Sequence, residues 1–170
     1  MKIINIKGTH NINMINGIKN ATRTAVKDNI DDYILLHAEQ IQIINQIYLK
    51  IETSNKNIVM RELDKKISGY KNQDIKKNIY NETLLISKDD LIEKLVVSKL
   101  KCFYCKCNVE ILYTNVREQK QWTLDRINND NCHSNINTLI ACLKCNLERR
   151  TTNIDKFKFT KQLIISKVKC

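Results

Sequence analysis

Two C-x2-C pairs, Cys102-Phe-Tyr-Cys105 and Cys142-Leu-Lys-Cys145, stand 36 residues apart and constrain this chain more than any other feature. Four thiolates at such spacing are the tetrahedral set that Zn²⁺ prefers, with Zn–S bonds of roughly 2.3 Å. A disulfide framework is the weaker reading. Seven cysteines cannot all pair within one chain, and the N-terminus has no apolar stretch followed by a small-residue cleavage site that would mark export. Cys107, Cys132 and Cys170 fall outside the pattern and read as free thiols.

With 170 residues, 42% of them hydrophobic, the chain can bury one modest core with a helical appendage. The absence of proline, the three glycines and the abundance of Ile, Asn and Lys resemble translation of an AT-rich genome, so Asn and Lys abundance carries no functional weight. No run approaches the roughly 20 apolar residues of a membrane span, and the expectation is a soluble intracellular protein with no membrane partner. The net charge of +11 is uneven: residues 99–170 hold 14 Lys and Arg against 6 Asp and Glu. A basic C-terminal half suits a phosphate-binding surface, although a solvated basic face in a Lys-rich chain gives the same count.

The fold class expected is α+β, a mainly helical N-terminal region followed by a small zinc-stabilised unit. Residues 1–30 have no clear period and read as a tail or short extended pieces. In the helical region 31–98, Ile34, Ala38, Ile41, Ile44, Tyr48 and Ile51 predict a long helix over 32–52, capped by Asp31 or Asp32, with His37 as a surface or packing residue. A second helix is expected over 56–67, stopped by Ser68-Gly69, with a short helical turn in the segment after it. Ser87-x-x-Asp90 resembles a capping box opening a helix to about Lys99. Beyond the first cysteine pair, Val109–Tyr113 and Gln121–Ile127 read as strands, 128–135 as a loop, 137–141 as a short strand, and the second pair opens a helix. The zinc unit spans 99–160, and 161–170 form a C-terminal tail. Trp122 reads as core rather than as a base-stacking platform.

Across residues 99–152 the pattern CxxC, Leu124-Asp125-Arg126-Ile127, His133, Asn137 five residues before CxxC, and Asn146 directly after it resembles the zinc-bound subgroup of the HNH, or ββα-metal (His-Me finger), endonucleases. The resemblance is closest to their viral and phage branch, which includes four-way-junction endonucleases. It implies a metal-dependent phosphodiester hydrolase with structural Zn²⁺, acting on duplex or branched DNA in a host cytoplasm or nucleus. Asp125 then matches the carboxylate for a catalytic Mg²⁺ or Mn²⁺, Asn146 the position that completes that site, and Asn137 the residue that braces the loop. Arg149 and Arg150, three and four residues beyond Asn146, could grip phosphates or be solvated helix-end charge.

Arg126 departs from the family pattern, which has a histidine base there; a guanidinium cannot take a proton from water at neutral pH. Three readings stay open. Arg126 stabilises charge on the phosphate while a metal-bound water attacks, His133 acts as the base, or the chain is an inactive zinc-stabilised nucleic-acid-binding module. A zinc-ribbon-like protein-interaction module is a further alternative. Residues 31–98 would then set substrate choice or homodimer contacts.

Overall fold

The computed structural model describes residues 32–163, together with Gly8, Ile12, Ile15 and Asn16. The tail expected over 1–30 therefore lies almost wholly outside the described residues, as do the end of the C-terminal tail and Cys170. Among the described residues there are five α-helices and one two-stranded antiparallel sheet: α1 His37–Tyr48, α2 Lys56–Lys76, α3 Lys88–Val97, β1 Trp122–Arg126, β2 Thr138–Cys142, α4 Leu143–Arg149 and α5 Ile154–Gln162. This is an α+β arrangement, with three helices first, then the sheet, then two further helices. No described helix is long and apolar enough to cross a membrane.

The first helix is shorter than its apolar spacing predicts. A 3-10 turn occupies Asp32–Leu35, and Leu36, in extended backbone, precedes α1 without a side-chain cap. At the other end Lys50 turns left-handed (φ 58°) and the Ile51 N–H reaches back to the Gln46 carbonyl at 2.8 Å, closing the helix before Ile51. The second helix errs the other way: α2 runs through Ser68-Gly69 to Lys76. A helical glycine costs about 1 kcal/mol relative to alanine. Burying Leu63 and Tyr70 on either side of it outweighs that cost. Ser87 caps α3 as expected, its Oγ accepting the Asp90 N–H at 3.1 Å.

No strand forms at Val109–Tyr113; only isolated bridges join Lys101 to Asn108 and Glu110 to Gln121. A buried glutamine supplies the missing partners. Gln40 Oε1 accepts the N–H groups of Ile111 (2.6 Å) and Leu112 (3.0 Å), and its Nε2 donates to the Leu112 carbonyl at 3.1 Å. One side chain thus satisfies three backbone groups that a neighbouring strand would otherwise pair.

β1 and β2 pair in the register Trp122↔Cys142 through Arg126↔Thr138, and α4 packs back on both strands. Every residue of β1 is buried, so neither face reads as a polar surface. The core is continuous from Ile43, Ile44 and Ile47 of α1, through Leu91 and Leu95 of α3, to Trp122, Leu124, Ala141, Cys102, Cys142 and Cys145.

Candidate metal centre and basic cleft

The two cysteine pairs converge. The sulfurs of Cys102, Cys105, Cys142 and Cys145 all lie within 4.8 Å of one another, with Cys105 and Cys142 at 3.9 Å. A tetrahedron with Zn–S bonds of about 2.3 Å has edges of about 3.8 Å, so the four thiols can hold a metal ion such as zinc. Each pair sits on a tight turn. Lys106, at φ 60°, follows the first pair, and its N–H bonds the Cys102 carbonyl at 3.0 Å; Cys142 caps α4, its Sγ accepting the Cys145 N–H at 3.4 Å. A shared hydrogen bond with Cys142 and then burial push the Cys102 thiol up to about 12, and burial does the same for Cys145. A cation is what would let such buried thiols ionise together. Cys107 lies beside the cluster, its Sγ 3.2 Å from that of Cys105, whereas Cys132 is buried elsewhere.

The sheet and α4 carry the remaining residues singled out by sequence. Asn137 clasps the loop before it: Oδ1 accepts the Asn128 N–H at 2.9 Å, and Nδ2 donates to the carbonyls of Asn128 (2.9 Å) and Cys132 (3.0 Å). Asn146 donates through Nδ2 to Thr123 Oγ1 and the Leu124 carbonyl at 3.0 and 3.3 Å. Its carbonyl oxygen takes no part in those bonds.

Arg149 is not where a phosphate clamp needs to be. It is 2% exposed and grips Asp125 bidentately, Nε to Oδ2 at 2.6 Å and Nη2 to Oδ1 at 2.9 Å. It also donates to the carbonyls of Arg126 and Thr152. Burial alone would lower its pKa; the hydrogen bonds and charge of Asp125 override this and hold it above its ordinary value. The short reach from the last turn of α4 to β1 turns the side chain inward, so the expected pairing of Arg149 with Arg150 on one exposed face fails. Arg150 alone is exposed. Asp125 receives a third donor, the Tyr104 hydroxyl, at 2.6 Å on Oδ2. A carboxylate offers about four lone-pair sites, so one remains, on Oδ1.

α2 runs along the outer edge of β1 and meets it residue by residue. Lys66 donates to the Trp122 carbonyl, the Tyr70 hydroxyl accepts the Leu124 N–H at 2.9 Å, and Asp74 pairs with the Arg126 guanidinium at 3.4 Å. The match is geometric: four residues of helix rise roughly 6 Å, and two residues of strand roughly 6.7 Å. Asp74 is fully buried, and its Oδ2 accepts the His133 N–H at 2.7 Å while Oδ1 lies 2.7 Å from His133 Nδ1. The His133 ring stacks on Tyr70 at 4.6 Å between centroids. Burial pushes the His133 pKa down and Asp74 opposes it.

Between α2 and the β1–β2–α4 unit lies a cleft of about 640 Å³ that Asp125, Arg126, His133 and Asn146 all line. Its walls carry five Lys and Arg (Lys65, Lys66, Lys77, Arg126 and Arg150) against one carboxylate, Asp125. Lys66 lies over the Trp122 ring at 4.5 Å, and burial, opposed by Glu62, brings it down to about 7. Lys66, Tyr70, Asp74 and Tyr104 were not singled out by sequence. The first three follow an i, i+4 spacing, visible only if α2 is continuous across Gly69. No protein-family model matches this chain, no curated protein is significantly similar to it, and no solved structure matches it.

Proposed function

We propose that this chain is a zinc-stabilised endonuclease of the ββα-metal type, hydrolysing DNA phosphodiester bonds in the cleft between α2 and the β1–β2–α4 unit. The observation that carries the reading is the gathering of Asp125, Arg126, His133 and Asn146 in one cleft whose walls also carry Lys65, Lys66, Lys77 and Arg150. A polyanion is the natural occupant of such a cleft. In this reading the four cysteines hold Zn²⁺ and fix the start of α4, and Asn146, one residue past the last ligand, inherits that rigidity.

A catalytic Mg²⁺ or Mn²⁺ belongs to the same reading, at Asp125 and Asn146. What these residues leave for it is one lone-pair site on Asp125 Oδ1 and the Asn146 amide oxygen, so water and the substrate phosphate would fill the remaining positions, as Mg²⁺ sites commonly allow. Such an ion would polarise the phosphate. His133 takes a proton from the attacking water as the new P–O bond forms; the bond to the leaving sugar oxygen breaks, and that oxygen is protonated from solvent. Arg126, held by Asp74, places positive charge beside the phosphate.

The second reading, a nucleic-acid-binding module without catalysis, is favoured by one feature: three donors already occupy Asp125. Supercoiled plasmid separates the two. The nuclease nicks or linearises it with Mg²⁺ or Mn²⁺ and leaves it intact in EDTA. Salt-sensitive binding with no cleavage in either metal would overturn the nuclease reading in favour of the binder.

A further inference from the structure

We infer that Asp74, outside the stretch that resembles a nuclease, is the positioning residue that fixes His133 in its Nδ1–H tautomer and leaves Nε2 as the proton acceptor in the cleft. The catalytic consequence rests on the nuclease reading above; the tautomer itself does not.

The assignment follows from the donors around Asp74. A main-chain amide and an arginine can only donate, and one lands on each oxygen: the His133 N–H on Oδ2 at 2.7 Å and Arg126 Nη1 on Oδ1 at 3.4 Å. Asp74 therefore acts as an acceptor on both oxygens, and Nδ1, 2.7 Å from Oδ1, is the donor of the third bond. A neutral imidazole that donates through Nδ1 carries its lone pair on Nε2. The backbone contact matters as much as the ring contact. Because the same carboxylate holds both the His133 N–H and its ring, the imidazole cannot rotate about its side-chain bonds without losing Asp74, and Tyr70 fixes the ring plane from one face. The charged groups facing His133 are Asp74 from α2, Lys77 just past the end of that helix, and Arg126 from β1. Burial first, and then the two cations, favour the neutral ring that a base requires, and Asp74 opposes them.

Ring ¹⁵N NMR of the zinc-loaded full chain reads the tautomer directly. The expected result is a protonated Nδ1 and an unprotonated Nε2 for His133 above its pKa; an Nε2–H tautomer overturns the inference whether or not the protein cuts DNA. Asp74→Asn adds the functional arm. Turnover on plasmid should fall by about 10²–10⁴-fold, the scale of losing a carboxylate that orients a histidine base, with zinc content and DNA binding close to the parent. Removing the carboxylate also removes the one charge that raises the His133 pKa, so the acid limb of the pH–rate profile should move to lower pH while the plateau drops. A purely structural role would lower the plateau without moving the limb, and that result overturns the positioning role. Should Asp74→Asn fail to fold, the parent's tautomer decides. Should the parent bind but not cut, the nuclease reading fails while the tautomer still stands or falls on the NMR.

Discussion

The two walls of the cleft are built in different ways. One wall, β1–β2–α4, comes from a single run of residues, 122–149, whose members meet through neighbours in sequence. The other is α2, some fifty residues upstream, which meets β1 only in the folded chain. The first wall can be read from the sequence as a run of motifs, and the second cannot. Yet His133 belongs to the first wall, and the groups that hold it, Asp74 and Tyr70, come from the second. The polar arrangement of a site can therefore be half local and half tertiary, and only the local half is written as a pattern.

The largest effect expected tests the first wall. Structural Zn²⁺ sites contribute an apparent binding free energy of roughly 10–16 kcal/mol, which at such sites is also folding free energy. Single Cys→Ser changes at Cys102, Cys105, Cys142 or Cys145 should melt the sheet and α4, with loss of zinc by elemental analysis and of the Trp122 environment by fluorescence. Cys132→Ser should leave one zinc per chain. Because the core runs unbroken into α1 and α3, the helices should lose stability too, and helices that kept their parent melting temperature after zinc loss would show that the two regions fold independently.

The next effect is smaller and distinguishes a buried pair from a phosphate clamp. Arg149→Met strands Asp125 with only the Tyr104 hydroxyl, and breaking a buried pair from one side costs about 3–5 kcal/mol. Joining it with Asp125→Leu should recover much of the loss, because replacing both partners by apolar side chains is often neutral. Denaturant midpoints on the two variants check this. An Arg149→Met protein as stable as its parent, but weak in DNA binding, would put the guanidinium back at the surface. The same coupling means that Asp125→Ala changes stability as well as any metal site, so its activity must be read beside its midpoint.

These contrasts explain what was legible in the sequence. The four-cysteine cluster was, because C-x2-C encodes its own turn and four sulfurs need only meet at one point. The order strand, loop, strand, helix was legible from Trp122 onward, and so was the Ser87 cap. Arg149 was misplaced because helical spacing gives direction around an axis and not what lies beneath it; the strand under α4 presents Asp125 there. Val109–Tyr113 has strand-like residues, but strand pairing needs a partner, and Gln40 of α1 fills that role with one side chain. Asp74 was hidden by the ending of the second helix at Gly69. With the helix broken there, Lys66, Tyr70 and Asp74 no longer fall on one stripe.

Gly69 is thus where the second wall can be sharpened with the smallest change. It sits inside α2, where glycine costs about 0.5–1 kcal/mol relative to alanine through the backbone freedom it loses on folding. A Cβ built at Gly69 meets nothing within 4 Å, so Gly69→Ala introduces no clash and should stabilise the protein by about that amount, raising its thermal midpoint by roughly 1–4 °C. The stabilisation should appear as slower hydrogen exchange on both sides of residue 69, since the stripe that edges β1 lies on both. Gly69 also lines the cleft. One methyl group added to an open wall leaves room for a phosphate backbone, so DNA affinity should stay within a few-fold of the parent. A variant that is more stable but binds DNA at least tenfold more weakly would place the backbone of the ligand directly against α2 at this residue. A variant that is less stable would mean that the helix is not continuous through Ser68-Gly69, and with it the alignment of α2 on β1 would fall.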